Sequence, residues 1–120
     1  MGRTSQALFA VVIACVASGA LACERNDQGA FEDINCAAAA LSGADRELNA
    51  AYRELSVKLD PNQRKLLVRS QRAWLAFLKE EGGFIHSVEG DGSSGRLVVV
   101  NFREAQTRRR IKDLRNWSIN

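Results

Sequence analysis

Histidine, proline, tyrosine and methionine each occur once in this chain of 120 residues, and cysteine only three times. That scarcity excludes much of chemistry. His86 has no second histidine near it and no group at metal-ligand spacing, so nothing points to zinc. Nor does a nucleophile or an orienting partner accompany it. Glu80 and Glu81 adjoin, but neighbours along a helix face different ways and do not form an acid/base pair. Glu89 and Asp91 flank glycines without the full calcium-loop pattern. The expectation is a protein that is not an enzyme, with no metal and no cofactor. Charge of one sign is also lacking: 17 basic residues face 14 acidic ones, a net of +3, which is too mild for a nucleic-acid binder.

The beginning of the chain reads as an export signal. Arg3 supplies the positive start, Ala7 to Val16 is almost wholly apolar, and no acid precedes Glu24. Ala20-Leu21-Ala22 then provides a small-residue cleavage site. Small residues interrupt the apolar run before it reaches the roughly 20 residues of a membrane span. Residues 1–22 are therefore expected to be removed, leaving residues 23–120 as one small domain, periplasmic or extracellular in a bacterium. Cys15 goes with the signal. Cys23 and Cys36 remain, and in an oxidising compartment they are expected to bond. The alternative is a lipidated Cys23, since Gly19 to Cys23 fits a permissive lipoprotein box; only in that case would a membrane hold the protein.

Sustained periodicity comes from helices. Leu48, Tyr52, Leu55 and Leu59 recur at steps of 4, 3 and 4, one helix face in a segment from Phe31 to Leu59. Ser42-Gly43 either breaks that segment or is carried within it. Asp60-Pro61 is a helix start, with an N-cap and then a proline at the first position. The second helix is expected to reach about Glu81, with Leu67, Trp74 and Leu78 on its inner stripe, before Gly82-Gly83 favours an end or a bend. "EGDGSSG", Glu89 to Gly95, is the clearest loop. Leu97 to Val100 alone looks like a strand, but no partner strand exists, so Leu97 to Asn116 is expected to be helix. The fold class is all-α: a small bundle of three to four helices, stapled at its N-terminal end. Arg108, Arg109, Arg110, Lys112 and Arg115 form a basic patch near the C-terminus, either a solvated face or a contact for an anionic envelope surface.

Three stretches together carry a resemblance: "NCAAAALSGADRELNAAYREL" (Asn35 to Leu55), "DPNQRKLLVRSQRAWLAF" (Asp60 to Phe77) and "EAQTRRRIKDL" (Glu104 to Leu114). In order and spacing the chain resembles the LprI-type lysozyme inhibitor N-terminal domain family, small exported helical proteins. The resemblance implies that Cys36 pairs with an upstream cysteine, here Cys23. It implies architectural roles for the Gln-x-x-Trp pair, with Gln71 satisfying backbone groups between helices and Trp74 in a core with Leu48, Tyr52, Leu55 and Leu114. Many members carry a second cysteine pair where this chain has Gly82 and Phe102, so Gly82 to Arg96 is expected to be more mobile here.

The activity that the resemblance implies is lysozyme inhibition. A lysozyme cleft is lined by two carboxylates. "HSVEGDGSSGR", His86 to Arg96, is the expected plug, with His86 and Arg96 approaching the acids and Ser93 and Ser94 hydrogen-bonding to them. The alternative is a non-catalytic envelope module that docks through its basic last helix.

Overall fold

The computed structural model describes residues 23–117, and the export-signal reading, residues 1–22, lies outside the described residues. Three long helices follow a short N-terminal segment: α1 (Ile34–Ser56), α2 (Pro61–Glu89) and α3 (Ser93–Arg115). Helix α1 begins where the Asp33 carboxylate accepts the Cys36 backbone N–H at 2.9 Å. It runs unbroken through Ser42-Gly43. Asp60 and Gln63 close a reciprocal capping box at the start of α2: the Gln63 N–H donates to Asp60 Oδ1 (2.8 Å) and the Asp60 N–H to Gln63 Oε1 (2.9 Å). Pro61 occupies the first turn, as the sequence predicts.

Two expectations are corrected. Helix α2 does not end near Glu81 but continues through Gly82-Gly83 to Glu89. Gly82 is buried against α3: a Cβ there would meet Val99 and the Arg103 guanidinium at ordinary contact distance. Tertiary packing offsets the roughly 1 kcal/mol that glycine costs in a helix interior. In place of a long loop from His86 to Arg96, only Gly90, Asp91 and Gly92 link α2 to α3. Gly90 makes the reversal at φ +86°, a backbone conformation that suits glycine. Gly95, in the first turn of α3, lies directly on the Gly90 carbonyl, where no side chain fits.

Helix α3 packs against both other helices, whereas α1 and α2 scarcely touch each other. The core lies at one end, where Leu48, Ala51, Leu55 and Leu59 meet Leu67, Ile111 and Leu114. Leu48, Leu55 and Leu114 are buried as expected. Tyr52 and Trp74 are only partly buried against this cluster. Toward the other end Gly82 is the only buried residue of α2 beyond Leu67.

The N-terminal segment straps α1 to α3. Cys23 bonds to Cys36, closing a separation of 13 residues. Lipidation would use the same Cys23 sulfur, so it and this disulfide are alternatives. Asn101 reads the backbone of Phe31 in both directions: its Oδ1 accepts the Phe31 N–H (2.9 Å) and its Nδ2 donates to the Phe31 carbonyl (2.8 Å). Arg25 stacks 4.3 Å from the Phe31 ring centroid and donates twice to Glu104, at 2.7 and 3.1 Å. Glu104 is only 2 % exposed and also accepts from Arg108 Nε at 3.1 Å, while Arg108 reaches Glu47 on α1 at 2.9 Å. Hydrogen bonds from Arg25, and then from Arg108, hold the Glu104 carboxyl below its ordinary pKa against the upward push of burial.

Two measurements check this account. Gly95→Ala should lose about 1–3 kcal/mol in denaturant unfolding, the usual cost of overpacking. Gly83→Ala, where a Cβ meets open space, should gain about 0.5–1 kcal/mol. Glu104→Ala should cost about 3 kcal/mol, the low end for breaking a buried ion pair, because both arginines keep some access to water. A carboxyl whose folded-state pKa is depressed contributes stability above its unfolded pKa of about 4.3 and loses it as pH falls through the folded value. Thermal midpoints of the parent protein should therefore drop on acidification below about pH 4, and Glu104→Gln should flatten that drop.

Candidate functional site

Because α1 and α2 both lean on α3 but not on each other, an open groove runs between them with α3 as its floor. Three adjoining chambers make it up. The first, about 450 Å³, lies beside the core and is lined by Leu48, Asn49, Tyr52, Gln71 and Trp74. It shares Asp45, Leu75 and Leu78 with a middle chamber of about 240 Å³. Lys79 and Arg103 lead from there into the widest part, about 620 Å³, where Ile34, Gly82, Gly83, His86, Arg96, Val99 and Val100 complete the lining. The antiparallel course of α1 and α2 sets this order: Tyr52 lies opposite Gln71 at one end, and Ile34 lies near His86 at the other.

The chemistry changes along the groove. The narrow end is aromatic and uncharged apart from Asp45, whose carboxyl burial pushes up while Arg103 pulls it back. The wide end is basic: Lys79, His86, Arg96 and Arg103 line it, and no carboxylate does. Among the described residues, Lys79, Arg96 and Arg103 make no salt bridge and no side-chain hydrogen bond. Asn49 and Tyr52 make no side-chain hydrogen bond either. On the two packed seams, by contrast, Asn101, Glu104, Arg108 and Arg110 are all engaged.

The residues expected to meet a partner gather around the hairpin tip. His86 and Arg96 line the wide end of the groove. Ser93 and Ser94 are exposed on the first turn of α3 and lie outside that lining. His86 Nε2 is 2.7 Å from Asp91 Oδ1, a contact across the tip to a side chain that is almost wholly in water. Sequence reasoning missed Lys79 and Arg103. Arg103 had a signal, since it stands at helical spacing from Val99 and Val100, and Arg96 joins that face once α3 is started at Ser93 rather than Leu97.

Gln71 does not serve the backbone between helices. Its Oε1 accepts from Arg110 Nε at 3.1 Å, and Arg110 also donates to Ser70 Oγ at 3.0 Å. Trp74 is partly buried against the core cluster and also lines the groove. The C-terminal basic residues part company: Arg108 turns to α1, Arg110 to α2, and Arg109, Lys112 and Arg115 are exposed. No helix among the described residues is long and apolar enough to cross a membrane, and no group of three or more His, Cys, Asp or Glu among them is placed to hold a metal ion.

A family model described as Lysozyme inhibitor LprI matches residues 23–114. No curated protein and no solved structure matches the chain. The family match covers well over half of the sequence, and the chain belongs to that family.

The division of the basic run is measurable. Arg108→Ala and Arg110→Ala should each cost about 1 kcal/mol through lost hydrogen bonds. Arg109→Ala and Lys112→Ala should stay within about 0.5 kcal/mol of the parent in denaturant unfolding.

Proposed function

We propose that this member of the LprI family is an exported, non-catalytic inhibitor that blocks a lysozyme by placing the α2–α3 hairpin tip in the substrate cleft. The observation that carries this reading is the thin shape of that tip, whose one charge, Asp91, is paired with His86, and the cations that stand behind it. Gly90, Asp91 and Gly92, followed by Ser93 and Ser94, make a thin polar edge with no bulky side chain. Arg96 and His86 stand immediately behind it, and Lys79 and Arg103 behind them. Such a wedge enters a cleft and brings cations toward the two carboxylates that the enzyme needs. Inhibition then needs no reaction on either side: the tip occupies the space of the sugar chain, and ion pairing holds the acids away from their task. Two long helices bonded across α3 supply the rigidity that a plug requires.

The envelope-docking alternative keeps less support. Of its five basic residues, Arg108 and Arg110 are used within the molecule, which leaves Arg109, Lys112 and Arg115 for an anionic surface.

The test is lysis of purified cell wall by several lysozyme classes, with the oxidised protein titrated in. Stoichiometric block of at least one class is expected. Replacing Arg96 and His86 together with alanine should raise the inhibition constant at least about tenfold, the loss of one or two charge-assisted contacts. Full lysis by every class, from a sample that is helical and disulfide-bonded, would sink the reading.

A further inference from the structure

The groove holds more chemistry than a plug requires, and its aromatic end lies away from the tip. We propose that the groove between α1 and α2 is itself a binding site for an anionic glycan, a chain of sugar rings bearing carboxylates. Three features point to this ligand class. First, Trp74 and Tyr52 line the narrow end, where the apolar C–H face of a sugar ring packs on aromatic carbon. Second, polar side chains stand between those rings with no bond to the protein. Among the described residues neither Asn49 nor the Tyr52 hydroxyl makes a side-chain hydrogen bond, and Asp45 lines the same chamber to receive sugar hydroxyls. Third, the wide end presents Lys79, Arg96 and Arg103, unpaired among the described residues, to a charge of opposite sign.

The dimensions agree with a chain instead of a single small molecule. From Ile34 to Tyr52 the groove follows α1 for about 27 Å at the helix rise per residue, long enough for several rings in a row. The chemistry also disfavours a helical peptide. A groove that receives an amphipathic helix is continuously apolar, whereas this one is interrupted by Asp45 and Asn49 from α1, Lys79 from α2 and Arg103 from α3. Gly83, where a Cβ would meet open space, carries no side chain at the wide end, which leaves room for the substituents that hold the carboxylates.

The site does not depend on the inhibitor reading, and it is tested with no lysozyme present. Four soluble probes suffice: a peptide-free bacterial wall tetrasaccharide bearing carboxylates, the same tetrasaccharide with its carboxylates converted to amides, neutral chitotetraose, and polyglutamate as an acidic chain without sugar rings. Binding to the oxidised protein is followed by calorimetry and by tryptophan fluorescence. The acid form should bind best, and the amide form and chitotetraose should each be weaker by about tenfold, the worth of one charge-assisted hydrogen bond. Lys79→Gln with Arg103→Gln should reduce affinity for the acid form by about the same factor and leave chitotetraose binding unchanged. Both side chains are outside every hydrogen bond of the fold, and circular dichroism confirms that the variant stays helical. The comparison of probes stands by itself if that variant fails to fold. Equal binding of acid and neutral sugars would overturn the proposal. So would absence of binding to all three sugars, or equally tight binding of polyglutamate, which would mark a site for acidic chains in general. Lysis inhibition without glycan binding would leave the hairpin-tip reading standing and remove this one.

Discussion

The buried carboxylate of Glu104 is the constraint on which the arrangement depends. A charge that is 2 % exposed needs partners at once, and it has two: Arg25 from the N-terminal strap and Arg108 from its own helix. Arg108 in turn reaches Glu47, so one ionic chain runs from the strap through α3 to α1. Asn101 and the Cys23–Cys36 bond hold the same strap on either side. The disulfide contributes about 3 kcal/mol by loop closure, a large share of what so small a domain can hold. Helices α1 and α3 are thereby committed to each other along most of their length.

That commitment determines what remains for α2. It meets α3 through Leu67 in the core, through Arg110 on Gln71 and Ser70, through a Phe77–Phe102 edge contact and through Gly82 against Val99 and Arg103. It has almost no contact with α1. The consequence is a molecule with two packed seams and one open one. Polar side chains on the packed seams bond to the protein, whereas on the open seam Asn49, Tyr52, Lys79, Arg96 and Arg103 have no side-chain hydrogen bond or salt bridge among the described residues. The basic end of that open seam continues into the hairpin tip, so the face left over by the fold is also the face proposed here to meet a partner.

Much of this was legible in the residues. The steps of 4 and 3 from Leu48 to Leu55 found α1, though the helix ends at Ser56 and Leu59 joins the core from the turn beyond it, and Asp60-Pro61 marked the start of α2 because capping is a local interaction. The valines at 98 to 100 did not mislead, since a strand without a partner cannot satisfy its backbone. The misreadings were all of longer range. Gly82-Gly83 looks like a helix end by propensity, yet packing against α3 carries the helix past it. Glu104 and Arg25 are 79 residues apart, and no periodicity links them. The basic run was grouped by sequence adjacency, although consecutive helix residues lie about 100° apart and Arg108, Arg109 and Arg110 must face three ways. The groove itself is an absence of contact between α1 and α2, which no spacing reveals.

The central claim is that partners meet this protein at the hairpin tip and the open seam, not at the outer side of α3. Amide chemical shifts of the 15N-labelled, disulfide-bonded protein, recorded as an inhibited lysozyme is added, test it directly. The account predicts perturbations centred on Gly90, Asp91, Gly92 and Arg96, extending to Lys79 and Arg103, with Arg109 and Lys112 unmoved. Perturbations confined to Arg109, Lys112 and their neighbours on the outer face of α3 would contradict it.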